Sequence, residues 1–177
     1  SVNSIVILIA APFWAFATAK TSKRFVWRCG ALVSITGSLL LFFNTHETVS
    51  VVVAIAALSA IGSAAGYLTF WSALPDTVEY GEMSSGKREE SLTFGVMSFI
   101  QKASYGLAAA FAGLLLDLIG YQANVNQPQS TLDALKVVMT LLPAGFILIA
   151  FFIIGDYRLD QKTHERILAI LAKRKIE

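Results

Sequence analysis

Two sets of charged residues in this chain could do chemistry. The first lies in DTVEYGEMSSGKREES, residues 76–91, where Asp76 and Glu79 are followed by Lys87, Arg88 and Glu90. Side chains three apart share a helix face, so the two carboxylates point the same way. Opposite charges this close in sequence can form a gate whose ion pairs are made in one conformation and broken in another. An ordinary solvated loop carries the same composition. The second set is a single residue, Lys102, inside the otherwise apolar run SFIQKASYGLAAAFAGLLLDLIG, residues 98–120. A lysine in hydrocarbon costs about 2.5–3.5 kcal/mol on insertion scales, so it must face a protein interior or a water-filled cavity.

The neighbours of Lys102 agree with that. Gly95, Ser98, Lys102, Tyr105, Gly106, Ala109 and Gly113 recur at spacings of three and four and form one small, polar stripe. Val96, Ile100, Leu107, Phe111 and Leu114 fall elsewhere on the helix and suit lipid. Small residues let helices approach closely. Lys102 therefore either marks a solute pathway or pairs with a buried carboxylate for assembly. Upstream, Tyr67 and Trp71 lie one turn apart, near a Gly62–Gly66 pair. Rings so placed can stack on the apolar face of a sugar, or simply pack against another helix.

The elements that must hold these residues are membrane spans. The chain has 177 residues, 55% of them apolar and only 15% charged, with a net charge of +2. Soluble domains are nearer 25% charged. The apolar residues are grouped in blocks: Val2–Ala19, Phe25–Phe43, Val49–Leu74, Ser91–Ile119 and Leu135–Gly155. Each is about 18 residues or longer, enough to cross a hydrocarbon core. Backbone groups in lipid must be satisfied within the segment, so each block is expected to be a helix. Pro12 and Pro143 interrupt two of them, which packed neighbours tolerate. The expected fold is an all-α polytopic bundle over residues 1–155, followed by a tail over 156–177. Lys102 would sit about 16 Å into its span, near the midplane.

Orientation follows from the connections. Lys20, Lys23, Arg24 and Arg28 surround the first, and Lys87 and Arg88 lie in the third. The tail carries Arg158, Lys162, Arg166, Lys173, Arg174 and Lys175. The second connection, NTHETVS, and the fourth, YQANVNQPQST, have no Lys or Arg. The positive-inside rule then puts the first and third connections and the C-terminus in the cytoplasm. Trp27, Tyr121 and Tyr157 fall where an aromatic belt would lie. The tail stretch THERILAILAKRK is amphipathic and basic, and suits either the anionic inner leaflet or a solvated extension.

No enzyme is indicated. The chain has one cysteine, Cys29, and two histidines, His46 and His164, both expected at the solvated surface. There is no metal-ligand spacing, no nucleophile elbow, no phosphate loop and no nucleotide fingerprint. Nothing suggests a nucleic-acid partner or a bound cofactor. The chain begins at Ser1 directly before an apolar run, without the basic region of a signal peptide. It is expected to be part of a longer membrane protein.

Taken together, these residues resemble the glycoside–pentoside–hexuronide:cation symporters, the melibiose-permease family within the major facilitator superfamily. The family signature is matched by Asp76, Glu79, Tyr80, Gly81, Glu82, Gly86, Arg88 and Glu90. Lys102 follows at the family's spacing, as do Gly120, Tyr121 and Asn124 after that span. The first connection, AKTSKR, keeps Lys23 and Arg24 of the superfamily's loop pattern but not its Asp and Gly. The resemblance covers nearly the whole chain, as spans eight to twelve of twelve. It implies two pseudosymmetric halves around a midplane site, an N-terminal half carrying the acidic residues for cation and sugar, and a bacterial inner membrane location.

The resemblance also implies roles. Tyr67 would stack on sugar, with Ser98, Gln101 and Lys102 on the same site-facing helix. Asp76, Glu79, Arg88 and Glu90 would form the cytoplasmic gate. The coupling ion would be Na⁺ or H⁺, held outside this stretch of chain, where Lys102 would find its counter-ion. The alternatives are a facilitator-superfamily carrier of another solute, such as a lipid, and a non-transporting membrane scaffold subunit.

Overall fold

The computed structural model describes residues 2–45, 48–156 and 161–174. His46, Tyr157, Arg158 and Lys175 lie outside these, as do the side chains of Lys162 and Arg174. Among the described residues every regular element is helical. Five helices run through the apolar blocks: α1 Val2–Lys20, α2 Lys23–Phe43, α3 Val49–Ser85, α4 Glu90–Leu118 and α5 Gln129–Ile153. A 3₁₀ turn, Ile154–Asp156, leads to α6, Gln161–Arg174. Helices α2 to α5 are each long and apolar enough to cross a membrane, and α1 is a shorter apolar helix. The α1–α2 and α3–α4 connections and α6 lie at one end of the bundle, the basic end.

Helix α3 is the axis of the bundle. It packs against α2 and α1, while α5 packs on the outer side of α2. The α2–α3 contact is backbone to backbone, through Gly30, Ser34 and Gly37 against Ser59, Gly62 and Ala65. A Cβ added at Gly62 would overlap the Ser34 nitrogen and the Gly30 carbonyl oxygen. Ser34 and Ser63 hydroxyls bridge the seam at 3.2 Å. On the other side, buried Trp14 of α1 donates its indole N–H to the Ile61 carbonyl oxygen at 2.8 Å. Ala10, Trp14, Val26, Ala64 and Ala65 form the core there.

The small pair read from the sequence, Gly62 and Gly66, divides in the structure. Gly62 makes the close approach, whereas a Cβ at Gly66 would lie 3.5 Å from the Trp27 indole, an ordinary contact. Gly62→Leu is therefore expected to separate α2 from α3, since neither opposing backbone can yield, and such overpacking costs about 3 kcal/mol or more. Gly66→Ala should be tolerated. Monodisperse yield in detergent of the two variants in the full-length parent checks this, and equal yields would contradict it.

The third apolar block ends before its helix does. Helix α3 does not end near Leu74. It continues through Pro75 for 37 residues, about 55 Å, well beyond a 30 Å hydrocarbon core. Gly86 stops it in the left-handed conformation, φ 74°, with its N–H on the Glu82 carbonyl oxygen at 2.9 Å. Asp76 and Glu79 thus lie on a helix, as their spacing implied, and only residues 86–89 connect it to α4. Helix α6 docks on α3, burying Ile167 and Leu171 to 2% and 8% exposure.

Candidate functional site

At the basic end the α3 extension brings charges together. Ser22 caps α2 by accepting the Phe25 N–H at 3.1 Å, which puts Lys23 in the first helical turn. The Lys23 ammonium donates to the Asp76 carboxylate at 2.6 Å and to the Ser72 carbonyl oxygen at 2.6 Å. Asp76 is only 5% exposed. A carboxylate so buried stays charged only when paired and hydrogen-bonded, and Lys23 supplies both.

Helix α6 completes the cluster. His164 Nε2 contacts the Glu79 carboxylate and lies 3.6 Å from Asp76 Oδ1. The expectation of a solvated His164 is thereby corrected: α6 docking turns it toward the α3 carboxylates and leaves its side chain only 27% exposed. Neither Lys23 nor His164 stood among the gate residues read from the sequence. The legible signal was the shared face of Asp76 and Glu79, which implied a common partner without naming it.

Arg88 goes elsewhere. It pairs with Glu82 at 3.0 Å and with Glu90 at 3.1 Å, in an exposed setting. Hydrogen bonds to Glu82, and secondarily to Glu90, raise the guanidinium pKa above its ordinary value. The four gate residues therefore fall into two groups, Asp76–Glu79 with Lys23 and His164, and Arg88–Glu90 with Glu82. Exposed pairs contribute little to stability, so Arg88→Ala should leave the thermal unfolding midpoint of the parent protein nearly unchanged. A fall comparable to that of an Asp76 variant would show Arg88 to be part of the buried cluster.

The solute-facing candidates lie on two helices. Tyr67, 59% exposed, lines a groove of about 650 Å³ walled by α1 and α3, with Ser4, Ile7 and Leu8 across from Ala64, Leu68 and Trp71. Tyr67 and Trp71 meet edge-on, centroids 6.3 Å apart. The buried Trp71 indole nitrogen has no acceptor among the described residues. The groove lining does not include Ser98, Gln101 or Lys102, which are on α4. No residue of α4 is buried, Lys102 is exposed, and Gly95, Gly106 and Gly113 have open space beside them. Gln101 donates to the Tyr105 hydroxyl at 3.1 Å. The small-and-polar stripe is thus largely uncovered, as are the apolar positions Ile100, Leu107 and Leu114 on the rest of α4. Among the described residues no group of three or more His, Cys, Asp or Glu side chains could hold a metal ion.

Apolar helices of spanning length with charges gathered at one end are those of a polytopic membrane protein. The chain belongs to the MFS/sugar transport protein family, whose family model matches residues 2–161. It is 31% identical over 173 residues to a glucuronide carrier protein homolog of Escherichia coli (strain K12), covering 98% of this chain and 38% of that protein. A putative sulfoquinovose importer of Salmonella typhimurium is 31% identical over 96% of this chain and 36% of its own length. A putative 2,3-dihydroxypropane-1-sulfonate exporter of Escherichia coli (strain K12) is 34% identical over 88% of this chain and 34% of its own. The chain thus spans little more than a third of the relatives it matches. This kinship sets it among transport proteins rather than enzymes.

Proposed function

We propose that this chain is the C-terminal part of a secondary transporter that couples sugar uptake to Na⁺ or H⁺ by alternating access. The observation that carries the reading is the buried Lys23–Asp76 pair, joined by Glu79 and His164 where α2, α3 and α6 converge. An ion-paired cluster that can be made and broken is what one closed end of an alternating-access carrier needs. Lys23, Asp76, Glu79 and His164 form the inner layer of the cytoplasmic gate, and Glu82, Arg88 and Glu90 the outer layer. The open stripe of α4 faces the solute path. Lys102 is its fixed positive charge, with Ser98 and Gln101 beside it and Tyr67 as the stacking ring. The unpartnered Trp71 N–H offers a donor to a sugar hydroxyl.

Acidic residues of the missing N-terminal half complete the network and hold the coupling ion. The named substrates of the relatives include a glucuronide and a sulfonate, and a fixed cation suits an anionic sugar derivative of that kind. The protein sits in the bacterial inner membrane with its basic end in the cytoplasm. The test is uptake of a labelled glucuronide into vesicles holding the full-length parent, with an imposed Na⁺ or proton gradient. Gradient-dependent, saturable uptake is expected, and its absence with both gradients would reject the reading. Orientation is checked separately with cysteines at Ser85 and Asn126. An impermeant thiol reagent applied to intact cells should label Asn126→Cys and not Ser85→Cys.

A further inference from the structure

The geometry points to a binding site for an anionic glycerophospholipid at the basic end, in a cleft between α2, α3 and α4. The cleft is about 200 Å³ and is closed at one side by Ile154 of the 3₁₀ turn. Its walls are Trp27, Phe70, Leu74 and Met97, and Arg24 stands at its border. Two threonines also line it, but their hydroxyls are already used. Thr69 donates to the Ala65 carbonyl oxygen at 2.7 Å and Thr77 to that of Ala73 at 3.1 Å. The cavity therefore presents hydrocarbon to its occupant.

The charge at its edge is unspent. Of the four cations around the α1–α2 connection, Lys23 is paired with Asp76, Lys20 lies over the Phe16 ring and Arg28 over the Phe151 ring. Arg24 has no carboxylate, carbonyl or ring partner among the described residues. Its guanidinium is a fork suited to two phosphate oxygens. An apolar cleft with one free guanidinium at the membrane boundary matches an amphiphile whose head is a phosphate and whose body is an acyl chain. A sugar fits poorly. Beyond Arg24 and the Trp27 indole N–H, its lining has no uncommitted hydrogen-bonding side chain for the several hydroxyls of a sugar. It also uses a different face of α3, Thr69–Thr77, from the Tyr67 groove.

Trp27 makes the site readable. Full-length parent protein is placed in phosphatidylcholine vesicles containing a minor fraction of either brominated phosphatidylglycerol or brominated phosphatidylcholine. The Trp27 signal is the difference between wild type and Trp27→Phe. Bromine on phosphatidylglycerol should quench it roughly fivefold more efficiently, the size expected for one basic residue at an anionic surface. Arg24→Gln should remove the headgroup preference, and Arg24→Lys should retain part of it. Added inorganic phosphate should not relieve the quenching, because the acyl chain holds the lipid in place. Equal quenching by both lipids in the wild type would overturn the proposal. So would no quenching by either, which would mean that another part of the transporter covers the cleft. A preference unchanged in Arg24→Gln, or relief by free phosphate, would overturn it as well. The outcome is independent of what solute the transporter carries.

Discussion

Lys102→Met is expected to abolish gradient-driven sugar uptake by the full-length transporter while leaving its membrane level unchanged. The lysine is exposed on α4 and has no carboxylate partner among the described residues, so its removal strands no buried charge there. Methionine keeps most of the stem and lowers the insertion cost of the helix. What disappears is the fixed positive charge facing the solute path and the acidic half of the protein. Lys102→Arg keeps the charge but moves and enlarges it, so it should transport slowly and still concentrate substrate. If α4 served assembly alone, the order would reverse. Methionine would then be silent, and arginine, the bulkier group among Gly95, Gly106 and Gly113, the more harmful. The measurement is initial uptake rate per unit of membrane protein, and wild-type coupled uptake by Lys102→Met would falsify the assigned role.

Asp76→Leu should be the most destabilising change at the basic end. It leaves the half-buried Lys23 ammonium with only the Ser72 carbonyl oxygen, and it removes one neighbour of His164. Breaking a fully buried pair costs about 3–5 kcal/mol. Lys23 keeps some solvent contact, 23% of its side chain, so the loss here should be about 2–3 kcal/mol. Lys23→Leu combined with Asp76→Leu should recover most of it, because an apolar pair leaves no orphaned charge. Transport does not follow stability here. Either one unties the end of α3 from α2 and should raise substrate leak, and the double variant should leak despite its recovered stability. Thermal unfolding in detergent and counterflow in vesicles separate the two effects. Additive stability losses with no rescue would show that the two side chains are not coupled, and a tight double variant would show that the pair is not a gate.

How much of this was legible before the fold was known depends on the range over which each property is decided. The spans were legible in their rough positions because partition into hydrocarbon is settled by about 20 consecutive residues. The shared face of Asp76 and Glu79 and the stripe around Lys102 were legible because helical periodicity is local. The family itself could be read from the charged stretch 76–91 and the spacing to Lys102, both of which are local patterns. The apolar block that ends at Leu74 did not show how far helix α3 runs, because its charged extension is held by α6, which buries Ile167 and Leu171 there, a contact that local hydropathy does not report.

The partners of the charges were decided by tertiary structure alone. Asp76 had Arg88 nearby in sequence, yet it pairs with Lys23, 53 residues away, because the backbone contact between Gly30 and Gly62 draws α2 against α3 and leaves the two side chains within reach. Glu79 meets His164 across 85 residues through the docking of α6. Arg88 lies beyond Gly86, where the chain turns away from the α3 axis, and so it meets Glu82 and Glu90 instead. Charge and spacing determined that ion pairs would form at this end of the bundle. Which charges meet was decided by helix separation, because Coulomb energy in a partly buried site falls with distance in space and is indifferent to distance along the chain.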